Sequence, residues 1–180
     1  AVTLASGAEH HGLTWYALDP GCEGIAYWRK RLEDLRPLAP KVVALSTTFV
    51  MTGPWLHALC ALIRKHYPGA KLIVGGYYYA TNTKQFLSLD ADVLCVGEGD
   101  LSFPEVVKRL VEPRPLEDIP GLYVRAQDGT LRHTGHAGSL TLGTLPPVQW
   151  RLAEKIDPFV DLSRDAIEFG VETQRGCIFK

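Results

Sequence analysis

Three short segments hold the residues whose types and spacing could do chemistry. Residues 46–53 open with three hydroxyls, Ser46, Thr47 and Thr48, and continue through Phe49 and Val50 to Gly53. Residues 75–79 read Gly-Gly-Tyr-Tyr-Tyr, and residues 97–100 read Gly-Glu-Gly-Asp. Hydroxyls both donate and accept hydrogen bonds. The paired Gly75 and Gly76 would let a ligand touch the backbone, because no Cβ stands in the way. Gly97 and Gly99 flank Glu98 in the same manner. Tyr77 begins an aromatic run that could cover a ligand or form a rim packed against another domain. Such a set suits a large, flat ligand of mixed polarity. One glycine turn is an ordinary way to end a strand; three at one sheet edge describe a ligand site.

These segments need a scaffold that delivers them to one place. Residues 42–45, 72–74 and 93–96 are short, continuous apolar runs, the pattern of strands buried on both faces of a parallel sheet. Each run leads directly into one of the three segments. Helical patterns alternate with them. Over residues 23–35, Ile25, Trp28, Leu32 and Leu35 share one face, and Pro37 and Pro40 end the helix. Leu56, Leu59, Cys60 and Ile63 stand at i, i+3, i+4 and i+7 in a helix opened by Pro54 and stopped by Pro68-Gly69. A short helix is expected over residues 84–89. Phe103, Val106, Val107 and Leu110 form a further helical face, with capping-box spacing between Ser102 and Glu105. This alternation predicts an α/β fold with a flavodoxin-like or Rossmann-like doubly wound parallel sheet. Its ligand would lie beyond the carboxyl ends of the strands.

The flanks read differently. Residues 2–11 predict the tail of a helix closed by Gly12, and residues 13–18 a strand ended by Asp19-Pro20-Gly21. The chain is expected to begin in mid-element, with a first strand preceding it. Beyond Val111, residues 121–125 and 131–133 predict a hairpin about the turn Asp128-Gly129. Residues 135–165 have weak periodicity and several prolines. Residues 166–173 are strand-like again. The expected division is a ligand-binding domain over 1–112, a connector with the hairpin over 113–165, and the truncated start of another domain over 166–180.

Composition narrows the classes. The 180 residues carry 19 Lys and Arg against 20 Asp and Glu, a net charge of −1. That balance argues against a nucleic-acid binder, which needs clustered cationic charge, and against a polybasic membrane anchor. No apolar run approaches the roughly 20 residues of a membrane helix. Cys22, Cys60, Cys95 and Cys177 lie far apart, which fits a reducing cytoplasm better than a disulfide framework. Neither a G-x-G-x-x-G fingerprint nor a P-loop is visible.

The segments VVALSTTFVMTG (42–53), KLIVGGYYY (71–79), ADVLCVGEGD (91–100), FPEVVKRL (103–110), DIPGLYVRAQDG (118–129) and ETQRGCIFK (172–180) together resemble the N-terminal part of cobalamin-binding radical S-adenosylmethionine (SAM) enzymes, the class B radical SAM methylase family. The resemblance covers nearly the whole chain. It implies that the first domain carries cobalamin, with Ser46, Thr47 and Thr48 bonding its nucleotide tail or corrin amides. Gly75 and Gly76 would let the tail pass, and Gly97, Glu98 and Gly99 would line the far wall. It further implies that Cys177 is the first thiolate of a CxxxCxxC motif holding a 4Fe–4S cluster, on the first strand of a radical SAM barrel. The sequence stops before the second cysteine, so the fragment alone is expected to be inactive.

The implied activity is transfer of a methyl group from S-adenosylmethionine, via methylcobalamin, to a carbon of a natural-product or peptide substrate, an aromatic such as tryptophan among the options. The implied partners are that small molecule or peptide and a reductant protein such as flavodoxin or ferredoxin. The D-x-H-x-x-G segment of carriers that ligate cobalt through histidine is absent. His10, His11, His57, His66, His133 and His136 read as ordinary surface or capping residues. Two rivals are a non-catalytic flavodoxin-like ligand-binding module and a receiver-type regulatory domain. A receiver would want a phosphorylatable Asp near the position of Ser46, and neither rival has a use for the TQRGC ending.

Overall fold

The computed structural model describes residues 2–19, 24–47, 53–138 and 142–158. In chain order the elements are α1 (Val2–His10), β1 (Ala17–Asp19), α2 (Ile25–Asp34), β2 (Val42–Ser46), α3 (Gly53–His66), β3 (Lys71–Gly75), α4 (Tyr78–Leu87), β4 (Val93–Cys95), α5 (Ser102–Val111), β5 (Leu122–Arg125), β6 (Leu131–His133) and β7 (Ile156–Pro158). Short 3₁₀ turns occupy Arg36–Leu38, Leu142–Thr144 and Trp150–Lys155. The described residues fall into two units, one continuous over 24–137, the other made of 2–19 with 138 and 142–158.

The continuous unit is built on a five-stranded sheet of order β2-β3-β4-β5-β6. β2, β3 and β4 are parallel, with Ser46 opposite Gly75 and Gly75 opposite Cys95. β5 then joins β4 in the antiparallel sense, Cys95 opposite Leu122, and β6 completes the hairpin. The expected all-parallel sheet is therefore parallel only over its first three strands. After α5, residues 112–121 return to the carboxyl edge before β5 begins, so β5 enters reversed. The hairpin expected in a connector belongs to the sheet, where it covers the free edge that β4 would otherwise present.

Alternation along the strands sorts the core. Ile73, Val93 and Cys95 face α5 and pack with Val106, Leu116, Ile119 and Leu122. Leu72, Val74 and Leu94, at 1%, 0% and 0% exposure, point to the other face. There α3 contacts β3 and buries Leu56, Leu59, Cys60 and Ile63, the four positions its periodicity marks. Each of the Leu and Ile side chains contributes about 1.5–3 kcal/mol on burial. α2 buries Trp28 and Leu32 and packs on α3, with Trp28 edge-on to Trp55 at 6.3 Å between ring centroids.

Two local expectations change. The helix placed at 84–89 runs over Tyr78–Leu87, interrupted by non-helical Asn82. The capping box does not form: Leu101 is the N-cap, no side chain caps the helix, and Glu105 pairs with Arg109 instead. The Phe103 amide already donates to Gly99 O, so the first turn begins too early for Ser102 to cap it.

In the second unit, α1 ends in a Schellman motif. Gly12 has φ +68°, its amide donates to Glu9 O, and the Leu13 amide donates to Ala8 O. The buried Ser6 hydroxyl accepts from the Gln149 amide, and the Trp15 indole donates to Glu9. The strand expected at 13–18 is the shorter Ala17–Asp19 and pairs in parallel with β7, outside the five-stranded sheet.

Candidate functional site

The register of the three parallel strands sets Ser46, Gly75 and Cys95 side by side, so the segments following them emerge at one edge. Ser46 is exposed there. Thr47 is 2% exposed, and its hydroxyl is committed to the protein. It donates to Gly75 O at 2.9 Å and accepts from the Tyr78 amide at 3.3 Å, while the Thr47 amide also donates to Gly75 O. Thr47 thus has a structural role, tying the end of β2 to the start of α4. Thr48, Val50 and Cys177 lie outside the described residues.

The glycines divide by cause. At Gly75 a Cβ would sit 3.2 Å from Cys95 Cβ, so this glycine serves close strand packing. Gly76 has φ +114° and Gly97 φ +89°, conformations that side chains other than glycine rarely adopt. Gly99 differs from both. Its backbone is ordinary, and the nearest atom to an added Cβ is Phe103 Cβ at 4.0 Å, so space is open beside it. Between Gly97 and Gly99, the Glu98 Oε2 atom is buried without a hydrogen-bond partner. A buried carboxylate oxygen left so is costly unless something donates to it. Tyr77 projects at 66% exposure and Leu101 at 43%, so apolar surface flanks the same edge.

The tyrosine run does not act as one. Tyr77 is exposed, Tyr78 is buried and bonds Gln85, and Tyr79 lies against Phe86 and Tyr123. Tyr123 stacks on His133 at 4.5 Å, and His133 meets His136 at 5.2 Å. A hydrogen bond with Tyr79, aided by burial, raises the Tyr123 phenol above its ordinary value. Cys95 stands at the edge, and burial pushes its thiol up to about 12, so the free side chain is a protonated, weakly reactive thiol at neutral pH. Among the described residues no group of three or more His, Cys, Asp or Glu could hold a metal ion, and no helix is long and apolar enough to cross a membrane.

Sequence reasoning missed residues 134–137, which follow the hairpin and lie against this edge. The Gly121 amide donates to Gly135 O, and an added Cβ at Gly97 would come 3.5 Å from Ala137 Cβ. The glycine of the PGLY segment was the available signal, since Gly121 has φ +81°. Two surface hollows lie elsewhere: one of about 320 Å³ beside Lys71, Arg109 and Leu116, and one of about 640 Å³ along the hairpin by Val124, Arg125 and Arg132. Lys71 and Arg109 are already paired, and Arg125 donates to Ala91, Leu89 and Gly129 carbonyls.

No protein-family model and no curated protein sequence matches this chain. Solved structures match in fold. Radical S-adenosylmethionine methyltransferase TsrM from Kitasatospora setae, with tryptophan and a SAM analogue bound, aligns at TM-score 0.61 and 18% identity over 73% of this chain and 26% of its own. TsrM with cobalamin and a 4Fe–4S cluster bound gives 0.64 and 18% over 81% and 27%. Apo OxsB, a cobalamin-dependent S-adenosylmethionine radical enzyme, gives 0.60 and 18% over 88% and 22%. The chain spans about a quarter of the length of these enzymes. At this identity the likeness is one of fold: the chain has the Rossmann-like α/β architecture found in part of cobalamin-dependent radical SAM enzymes.

Proposed function

We propose that this chain is the cobalamin-binding portion of a radical SAM enzyme, a methyltransferase acting on a carbon of a small-molecule or peptide substrate. The observation that carries the reading is the buried, unpartnered Glu98 oxygen at a strand-end edge otherwise built of glycines and hydroxyls. A corrinoid fits it: its many amides and ribose hydroxyl supply donors, and its broad ring needs the open backbone beside Gly99. Glu98 accepts from one of those donors, Ser46 lies at the polar end of the edge, and Tyr77 and Leu101 offer apolar contact. Thr47 holds the floor of the site. Gly76 and Gly97 allow the turns that shape it. The cobalamin, when bound, supplies the methyl-carrying chemistry, while the protein binds, orients and shields it.

The wider proposal places Cys177 among the thiolates of a 4Fe–4S cluster, with S-adenosylmethionine as co-substrate, a flavodoxin or ferredoxin as reductant and the cytoplasm as location. The sparse cysteines, Cys60 and Cys95 free and buried among them, support that compartment. The test is a visible absorption spectrum after mixing with hydroxocobalamin and desalting. A retained corrinoid band near one equivalent is expected, reduced in Glu98→Gln. Complete loss of the band, both from the folded chain and from one extended through the full cysteine motif, overturns the reading.

A further inference from the structure

One methyl group rests over two left-handed glycines. An added Cβ at Gly121 would lie 2.8 Å from Ala137 Cβ and 2.8 Å from Val96 O; one at Gly97 would lie 3.5 Å from the same Ala137 Cβ. Gly97 and Gly121 have φ of +89° and +81°. Hydrogen bonds join the same residues in series. The Thr134 amide donates to Leu122 O, and its hydroxyl accepts from the Leu122 amide. The Gly121 amide donates to Gly135 O, and the Val96 amide donates to Gly121 O at 2.7 Å. Residues 134–137 thus form a strap laced to β5, which is laced in turn to the residue that opens the Glu98 turn.

We infer that Ala137 is a positioning residue for this turn: seated over Gly97 and Gly121, it holds Glu98 in the orientation that receives the ligand. The physical need is plain. Two of the three residues 97–99 are glycines, which have the widest backbone freedom of any residue. A turn so composed does not orient a carboxylate by itself, and ordering it on binding would subtract from affinity. The strap supplies the restraint beforehand. A glycine at 137 removes this methyl contact, and a branched, bulkier side chain changes the packing beside both glycines.

The ligand half of this inference rests on the corrinoid reading; the restraint half does not. The experiment measures amide hydrogen exchange and hydroxocobalamin retention in Ala137→Leu and Ala137→Gly. Exchange at residues 96–99 should quicken about tenfold in Ala137→Leu, equivalent to about 1.4 kcal/mol, with residues 72–74 unchanged. Hydroxocobalamin should bind about tenfold more weakly, and that loss should shrink in a Glu98→Gln background, the mark of coupled residues. Ala137→Gly should change both in the same direction by less, which guards against Ala137→Leu failing to fold. Unaltered exchange at 96–99 overturns the inference, as does quickened exchange with unaltered affinity. Exchange quickened equally at 72–74 shows a merely structural role and also overturns it. If neither the parent chain nor one extended through the full cysteine motif takes up corrinoid while exchange at 96–99 alone responds, the restraint stands and the corrinoid reading falls.

Discussion

At the amino ends of β3 and β4, charged groups answer one another. Asp92 accepts from the Leu72 amide at 2.8 Å and pairs with Lys71 at 3.0 Å and Arg64 at 2.8 Å. Arg125 donates to Ala91 and Leu89 carbonyls, and Arg109 bridges Glu105 and Asp118. At the carboxyl ends of the same strands the pattern reverses. Glycines follow the strands there, and Glu98 keeps a buried oxygen without a partner. One edge commits its charged groups to holding the sheet; the other ties its strands through Thr47 but leaves the Glu98 Oε2 atom unpartnered. Strand polarity assigns the roles, because βα turns gather at the carboxyl edge.

Substitutions at the two edges should separate stability from binding. The largest effect belongs to Asp92→Ala, which removes charged hydrogen bonds and should cost about 2 kcal/mol in denaturant unfolding while leaving hydroxocobalamin retention unchanged. Burial alone would raise the Asp92 carboxyl, but the Leu72 amide, Lys71 and Arg64 outweigh it and hold it below the ordinary value. Its stabilisation is therefore complete above the unfolded pKa of about 3.9 and fades as pH falls through the lower folded value. The stability gap between parent and variant should close in acid; a gap constant down to pH 2 would remove Asp92 from this role. Next comes Gly99→Val, where ordinary backbone and open space predict an unchanged melt with about tenfold weaker hydroxocobalamin binding, near 1.4 kcal/mol. Gly76 is a poorer probe, because its φ of +114° would strain the fold as well. The smallest effect is expected from Asp118→Asn. Its pair with Arg109 is exposed, so thermal melts should barely shift, and any shift should vanish in salt.

Legibility in the sequence follows the range of the interaction. β2, β3, β4 and α3 were readable because continuous apolar runs and an i, i+3, i+4, i+7 face are local signals. α4 was misplaced because its residues, Tyr78, Tyr79, Thr81, Asn82 and Thr83, are weak helix formers. Burial of Tyr78 and Phe86 overrides that propensity, and Thr81 and Thr83 return hydrogen bonds to Tyr78 and Tyr79 carbonyls. The hairpin was visible, but its pairing with β4 joins Cys95 to Leu122, a relation no short window contains. At the site, the glycine segments marked the edge correctly. What each glycine does was hidden, since Gly75 answers to Cys95 and Gly97 to Ala137, both distant in sequence.

The pairing of β1 with β7 sets a timetable for folding. Ala17 finds Ile156 only across the entire continuous unit, which is inserted between the two halves of the other. Closing so long a loop is entropically slow while the intervening chain is open, and becomes short-range once that chain has collapsed. On a ribosome the inserted unit can assemble as soon as its hairpin has emerged, while α1 and β1, made before it, wait for β7, made after it.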